Sequence, residues 1–384
     1  MKATLAQLVE QLIRNEQVAG SSPVSGSIAS KFLGAIFFLF LLISCQPKPT
    51  DPNETATNEY AQLFSLQQTD STYRLTCQAS QGKPSVLEWK RNTPFERIVC
   101  MSGSHLAFLD ALDANNTVVG VSGYRYISNP TILQAVEMGK VVDVGYDQSL
   151  NYEQILLLKP DLILAYRVSG QDNSALDRLE KLGLPVFVIP DFLEEHPLGK
   201  LEYLRLFGAL VGKQHRADSI FQARSQAYNE LKAQVAGQVS TPKKILINLP
   251  YKETWYIPGS HNNFSRLLQD AGAEILGAKP QATDSHPYSF EEVLLLAMQA
   301  DLWLHPGTAN TLASIQQMHR LYAQIPCLQA GKVYNNTRRQ TTGGGNDFWE
   351  KGVTEPEKIL EDLIRILHPG LLPEADFHYY ISLQ

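Results

Sequence analysis

Short apolar runs alternate with segments of helical periodicity over most of the chain. From Arg97 onward, apolar runs that predict strands occupy residues 98–101, 118–121, 141–144, 162–165 and 186–189. Runs this short and continuous are typical of strands buried on both faces of a parallel sheet. Helical spacing lies between them, at residues 106–112, 152–158 and 175–182. Strand alternating with helix predicts a doubly wound α/β lobe.

A long helical segment and a second α/β series follow. Apolar residues three and four apart between residues 197 and 237 predict one long amphipathic helix, with a break near Gly212. Strands are then predicted at 244–249, 255–259, 302–304 and 333–335, and helices at 264–271, 290–298, 314–323 and 356–367. The predicted fold class is α/β, with two Rossmann-like doubly wound lobes joined by a long bridging α-helix.

One module occurs twice. Tyr152–Leu158, followed by Asp161, is repeated 138 residues later as Phe290–Leu296, followed by Asp301. Each copy has an aromatic residue, a glutamate, an aliphatic helix face and a strand opened by Asp-Leu. A glutamate in the first turn of a helix is favoured by the helix dipole alone, by about 0.3–1 kcal/mol. The dipole does not explain why the whole module recurs, which indicates a pseudo-symmetric pair of lobes.

The amino-terminal region predicts export. Lys31 precedes an apolar run, Phe32–Ser44, that is shorter than the roughly 20 residues of a membrane-spanning helix. The residues Leu42–Cys45 resemble a bacterial lipobox, which predicts cleavage before Cys45 and lipidation of that cysteine. An uncleaved signal anchor with an incidental cysteine is the alternative. The polar, proline-rich residues that follow predict a flexible tether.

Domain boundaries follow from these segments. We expect a signal region at 1–44, a lipoprotein tether at 45–60, an N-terminal α/β lobe at 61–196, an interlobe helix at 197–240 and a C-terminal α/β lobe at 241–384. Residues 1–30 resemble a spurious peptide made by translating through a transfer-RNA gene. The true start would then lie just before Lys31 and use a codon other than Met, since no methionine lies between Met1 and Met101.

Composition excludes several classes. The 384 residues carry a formal charge of −6, which argues against a nucleic-acid binder because phosphate neutralisation needs concentrated lysine and arginine. No apolar run outside residues 32–44 approaches a membrane span, so a polytopic membrane protein is excluded. Four scattered cysteines argue against a disulfide scaffold and a zinc ribbon. Whether Cys77 and Cys100 pair stays open at this point.

The chain resembles the substrate-binding proteins of ABC importers, in the helical-backbone class that carries iron-siderophores, haem and vitamin B12. The resemblance covers residues 60–384 and rests on 97–112, 118–122, the two copies of the repeat and the interlobe helix. It implies a non-catalytic, monomeric, lipid-anchored periplasmic protein without a cofactor. It also implies that Glu153 and Glu291 dock on arginines of the membrane permease, because charge-assisted pairs give orientation as well as attraction.

The resemblance implies a ligand site in the cleft between the lobes, at the carboxyl ends of the strands. A flat macrocycle favours aromatic walls, and an anionic ferric chelate favours arginines. The candidates in loops at these strand ends are Tyr124, Arg125, Tyr146, Arg167, Trp255, Tyr256 and Arg338. The chelate, the membrane that holds the lipid and the extent of lobe closure stay open.

Two other functions compete with this one. A chelatase-like enzyme also uses two α/β lobes, and it would place His105 or His305 facing a carboxylate in the cleft. A carrier of a free transition-metal ion would need several converging histidines and carboxylates, from a set that includes His261 and His286. We expect these histidines to be structural. The glycines at 343–345 lack the Lys-Ser/Thr of a phosphate loop and predict a flexible turn.

Overall fold

The fold is described from a computed structural model for residues 55–56, 58–78, 83–146, 149–168 and 173–384. The predicted signal region and the predicted lipidation site at Cys45 lie outside the described residues. Within the described ranges, no helix is both long enough and apolar enough to cross a bilayer.

An antiparallel sheet, which the sequence pattern does not predict, precedes the first lobe. Its four strands pair in chain order: β1 (Thr55–Ala56), β2 (Phe64–Gln68), β3 (Thr72–Cys77) and β4 (Ser85–Lys90). In β3 the buried residues Tyr73, Leu75 and Cys77 alternate with more exposed ones, as one covered sheet face requires. Between β1 and β2, the buried carboxylate of Glu202 accepts hydrogen bonds of 2.9 Å from the backbone N–H groups of residues 59–61.

The N-terminal lobe is a five-stranded parallel sheet in the order β7-β6-β5-β8-β9. Its strands are β5 (Ile98–Cys100), β6 (Val118–Val121), β7 (Val142–Asp143), β8 (Leu162–Ala165) and β9 (Val186–Val188). Its helices are α1 (Gly103–Ala111), α2 (Pro130–Glu137), α3 (Tyr152–Leu158) and α4 (Ser174–Lys181). The chain runs outward from β5 on one side and then crosses to β8 on the other. Loops diverge at such a switch point and leave a crevice.

The C-terminal lobe repeats this plan in the order β12-β10-β14-β15-β16, parallel except for the last strand. The sheet strands are β10 (Lys243–Ile247), β12 (Ala273–Ile275), β14 (Leu302–Leu304), β15 (Val333–Asn335) and β16 (Ile381–Ser382). A separate hairpin pairs β11 (Thr254–Pro258) with β13 (Ser285–Ser289). The helices are α7 (Asn263–Asp270), α8 (Phe290–Ala297), α9 (Leu312–Met318), α10 (Pro326–Gln329) and α11 (Pro356–Leu367).

Two helices, α5 (Pro197–Leu210) and α6 (Gln214–Gln238), join the lobes. The break falls where the sequence predicts it. Gly212 has φ of +68°, and the Lys213 N–H donates to the Gly208 carbonyl at 2.7 Å, which is a Schellman ending. Helix α5 packs on α1 of the first lobe and on α7 of the second, so it is buried around most of its surface. The predicted fold class, two α/β lobes with a helical connection, is confirmed.

The repeated Asp-Leu has a structural role in both lobes. The Asp161 carboxylate accepts backbone hydrogen bonds from Glu96 and Arg97, just before β5, at 2.8 and 3.0 Å. The Asp301 carboxylate accepts one from Lys244, in β10, at 2.8 Å. Each aspartate, at the junction between its helix and the following strand, therefore ties that junction to the start of the neighbouring strand, which is β5 in the first lobe and β10 in the second.

Candidate functional site

One cleft lies at the carboxyl ends of the N-terminal lobe's strands and is covered by a loop from the C-terminal lobe. Its volume is about 80 Å³. The loops after β5, β6, β7 and β8 contribute Ser102, Ser122, Tyr146 and Tyr166 to its lining. It therefore occupies the switch point between β5 and β8, where open α/β sheets bind ligands.

Aromatic rings form much of the cleft wall. Tyr126, Tyr146 and Tyr166 come from the first lobe, and Trp349 comes from the second. The Tyr126 and Tyr146 rings lie 5.7 Å apart, within the range of a packed aromatic pair. These rings give the cleft wall apolar faces with polar edges.

Charged groups lie at the floor of the cleft. Asp191 is buried, and its Oδ2 lies 3.9 Å from the Lys200 ammonium at the start of α5. Its Oδ1 lies 3.5 Å from Nε2 of His105, a ring with no exposed surface. Burial acts to raise the pKa of Asp191, but His105 and Lys200 outweigh it and hold that pKa below its usual value. Burial also lowers the pKa of Lys200.

The covering loop approaches the first lobe through glycines. A Cβ on Gly343 would lie 2.7 Å from the Arg125 carbonyl oxygen, and one on Gly345 would lie 2.4 Å from that of Ile127. Real Cβ atoms do not come this close to backbone oxygens. The sequence predicts a flexible turn here. The structure instead uses these glycines to bring two backbones together across the cleft.

Glu350 fastens the same loop to the first lobe. Its buried carboxylate accepts backbone hydrogen bonds from Ser128 at 2.8 Å and Asn129 at 2.9 Å, just before α2. Burial raises the pKa of Glu350 to about 7, against a lowering from these hydrogen bonds. No local pattern in the sequence marks Glu350, because its partners lie more than 200 residues away in the chain.

The structure places Tyr146 in the cleft but not Tyr124 or Arg125. These two belong to a single 3₁₀ turn, Tyr124–Tyr126, in which the Tyr124 side chain is 37% exposed. Successive side chains in such a turn point about 120° apart, since it has three residues per turn. Tyr126 faces the cleft, so Tyr124 and Arg125 do not line it.

The other predicted ligand residues lie apart from this cleft. Arg167 is held by α4, where its guanidinium lies 2.7 Å from Asp177 and 2.8 Å from Glu180. Arg338 lies at the surface, 3.5 Å from Asp376.

Trp255 is 1% exposed, and its Nε1 donates to the Ile247 carbonyl at 2.8 Å. The ring packs beside Trp303 inside the C-terminal lobe, so Trp255 is a core residue that no ligand in the cleft can touch.

A second cavity of about 710 Å³ lies in the C-terminal lobe, at the carboxyl ends of β10 and β14. Tyr256 lines it, together with Tyr251, Tyr322 and His305. Glu291 also lines it. Tyr256, a predicted ligand residue, and Glu291, a predicted docking residue, therefore line the same cavity.

Glu153 and Glu291 are both exposed and both lie in the first turn of their helices, α3 and α8. Among the residues that the structure describes, neither carboxylate forms an ion pair. Because α3 leads into the amino end of β8 and α8 into that of β14, the amino terminus of each helix lies at the carboxyl edge of its own sheet. Each glutamate thus lies at the carboxyl edge of the parallel sheet of its own lobe, the edge at which that lobe's cavity lies.

The histidines do not converge. His305 is buried with Nε2 2.8 Å from the Tyr380 hydroxyl, and burial lowers its pKa to about 3. Nowhere in the described ranges do three or more histidine, cysteine or acidic side chains meet in a group suited to a metal ion.

The cysteines Cys77, Cys100 and Cys327 are free thiols and are buried, which answers the open question on pairing. Burial raises the pKa of Cys77 and Cys100, and that of Cys327 to about 11.

Comparisons with known proteins agree with this architecture. Curated relatives include an uncharacterized lipoprotein of Methanocaldococcus jannaschii, 23% identical over 301 residues, covering 76% of this chain and 69% of that protein. A vitamin B12-binding protein of Yersinia pestis is 30% identical over 183 residues, covering 48% of this chain and 60% of that protein.

Solved structures show the same fold. A periplasmic haem-binding protein from Pseudomonas aeruginosa superposes with a TM-score of 0.56 at 20% identity, covering 73% of this chain and 95% of that one. The periplasmic vitamin B12-binding protein of Vibrio cholerae gives 0.51 at 20% identity, covering 71% and 97%. The profile of the periplasmic binding protein family matches residues 98–338, and the chain therefore belongs to that family.

Proposed function

We propose that this protein is the substrate-binding component of an ABC importer, held outside the cytoplasm by a lipid on Cys45. It captures an iron-siderophore, haem or cobalamin-type chelate in the cleft between its lobes and delivers it to the permease. The observation that carries the proposal is the aromatic cleft at the switch point, closed by a loop of the other lobe. The family supports it, as do relatives whose names record binding of vitamin B12 or haem.

The cleft must open to admit such a ligand. Its volume of about 80 Å³ is below the roughly 300–1,000 Å³ typical of ligand pockets. The contacts to be separated are those of the covering loop, at Gly343, Gly345 and Glu350. Since α5 packs on both lobes, we expect a small rocking movement rather than a wide hinge.

Titration of the purified protein with haemin, cyanocobalamin and ferric siderophores, followed by absorbance and calorimetry, tests the ligand class. We expect one of these three classes of chelate to bind, with one chelate molecule per protein chain. Tyr126→Ala and Trp349→Ala should each weaken that binding by about tenfold, since each removes a stacking wall. Tyr256→Ala, in the second cavity, is the matched control. Weakening by Tyr256→Ala alone would move the site to the second cavity, and no binding in any class would reject the proposal.

Docking on the permease is tested through the two exposed glutamates. The double variant Glu153→Ala, Glu291→Ala should lower uptake while the affinity for the chelate in solution stays unchanged. A loss of chelate affinity would instead assign Glu291 to a ligand site, because it borders the second cavity.

One observation bears on the enzyme alternative. His105 lies 3.5 Å from Asp191, a carboxylate that lines the cleft. Its ring is fully buried behind Asp191, which favours a structural role. Incubation with protoporphyrin and ferrous or zinc ions tests this directly. Metal insertion that is lost in His105→Gln would favour the chelatase-like enzyme over a carrier.

A further inference from the structure

Two leucines stand out on the surface of the described residues. Leu295 is 73% exposed and Leu157 is 68% exposed, which are the highest values among the large apolar side chains there. Single exposed leucines are common on protein surfaces and carry no meaning alone. These two, however, occupy equivalent positions in the repeated module, at the sixth residue of each copy.

Each leucine lies beside one of the repeated glutamates. Glu153 and Leu157 are four residues apart on α3, and Glu291 and Leu295 are four residues apart on α8. Residues at this spacing are neighbours on one helix face, with Cβ atoms about 5–6 Å apart. Ile155 lies two residues before Leu157, Val293 lies two residues before Leu295, and both are fully buried. Each helix therefore packs on its lobe through one face and exposes the glutamate-leucine pair on another.

We infer that Leu157 and Leu295 are the apolar centres of two matching docking patches, each formed with its neighbouring glutamate, and that the permease occupies both. This inference rests on the proposed function. Acidic and apolar groups side by side fit a surface with a cation beside a shallow apolar recess. Because the pair occurs once per lobe, each time on a helix that begins at the carboxyl edge of that lobe's parallel sheet, the complementary surface must carry its counterpart twice. A membrane permease built from two like halves meets that requirement.

Association of the full-length protein with the permease-ATPase complex of the same organism, reconstituted in lipid nanodiscs, tests the inference. Leu157→Ser and Leu295→Ser should each weaken association by about tenfold, as expected when a leucine is no longer buried. The double variant should weaken it further. Leu182→Ser removes a leucine that is 44% exposed outside the repeat, and it should have no effect. Leu157→Met and Leu295→Met should retain association.

The outcomes separate this inference from the proposed function. If Glu153→Ala and Glu291→Ala weaken association while both serine variants do not, the leucine patches are refuted and docking through the glutamates stands. If neither pair of variants changes association, the docking assignment itself fails. A fall in the thermal midpoint of either serine variant that the methionine variant restores would assign that leucine to folding and overturn the inference.

Discussion

Replacing Glu350 with glutamine should change how the stability of the protein depends on pH. The carboxylate is 4% exposed and accepts two backbone hydrogen bonds from the other lobe. Burial raises its pKa from 4.5 to about 7. Between these pH values the folded protein therefore holds a proton on Glu350 that the unfolded chain has released.

The sign and size of the effect follow from linkage. The stabilisation is fully present below about pH 4.5 and is lost as the pH rises through about 7, because the folded state binds more protons over that interval. The difference between the pKa of 4.5 in the unfolded chain and the pKa of about 7 in the folded protein corresponds to about 3 kcal/mol at most. Glutamine does not titrate. The free energy of unfolding of the wild type, minus that of Glu350→Gln, should therefore fall by about 2–3 kcal/mol between pH 4.5 and 8.

Urea unfolding of both proteins at several pH values measures this difference. Replacing the carboxyl group with an amide also alters the hydrogen bonds from the backbone N–H groups of Ser128 and Asn129. The free energy of that change does not depend on pH, so it does not affect the trend. Glu137→Gln, which removes an exposed glutamate from α2, is the control for loss of one negative charge. A difference that is constant from pH 4.5 to 8, or one that rises with pH, would refute the reasoning.

Three further outcomes are expected. Gly345→Ala should lower the free energy of unfolding by about 1–3 kcal/mol, because the new Cβ meets a backbone oxygen. Gly237→Ala, in open space on α6, is the control and should raise the free energy of unfolding by about 0.5–1 kcal/mol. Equal changes for the two variants in urea unfolding would contradict the close approach at Gly345. Cys77 and Cys100 should react with a thiol reagent only after unfolding, as peptide mapping would reveal, and rapid native labelling would contradict their burial. Trp349→Phe should remove most of the acrylamide-quenchable fluorescence, since the other tryptophans are buried, and unchanged quenching would place another tryptophan at the surface.

Several elements of the fold follow directly from local pattern. The continuous apolar runs of β5, β6 and β8 are recognisable because strands covered on both faces are apolar at every position. The break between α5 and α6 is recognisable because Gly212 allows a positive φ that other residues resist. The early antiparallel sheet was not recognised, because its strands expose one face and mix polar with apolar residues.

The candidate site was predictable in its position but not in its members. Carboxyl ends of parallel strands meet at one edge, so the loops holding Tyr126, Tyr146 and Tyr166 could be named. The backbone conformation of each loop decides which of its side chains faces the cleft. In the turn Tyr124–Tyr126, for example, Tyr126 lines the cleft and Tyr124 does not. Asp191 and Trp349 lie in segments without any motif that marks them.

The sequence by itself determined the two α/β lobes, the helical connection and the repeat that places Glu153 and Glu291 at equivalent positions. These features arise from periodicity and from residues close together in the chain. Only the tertiary structure decided that the loop at Gly343–Gly345 and Glu350 closes over the first lobe, and that Trp255 is core. The reason is that a cleft is assembled by contacts between distant segments, and local pattern does not record which segments meet.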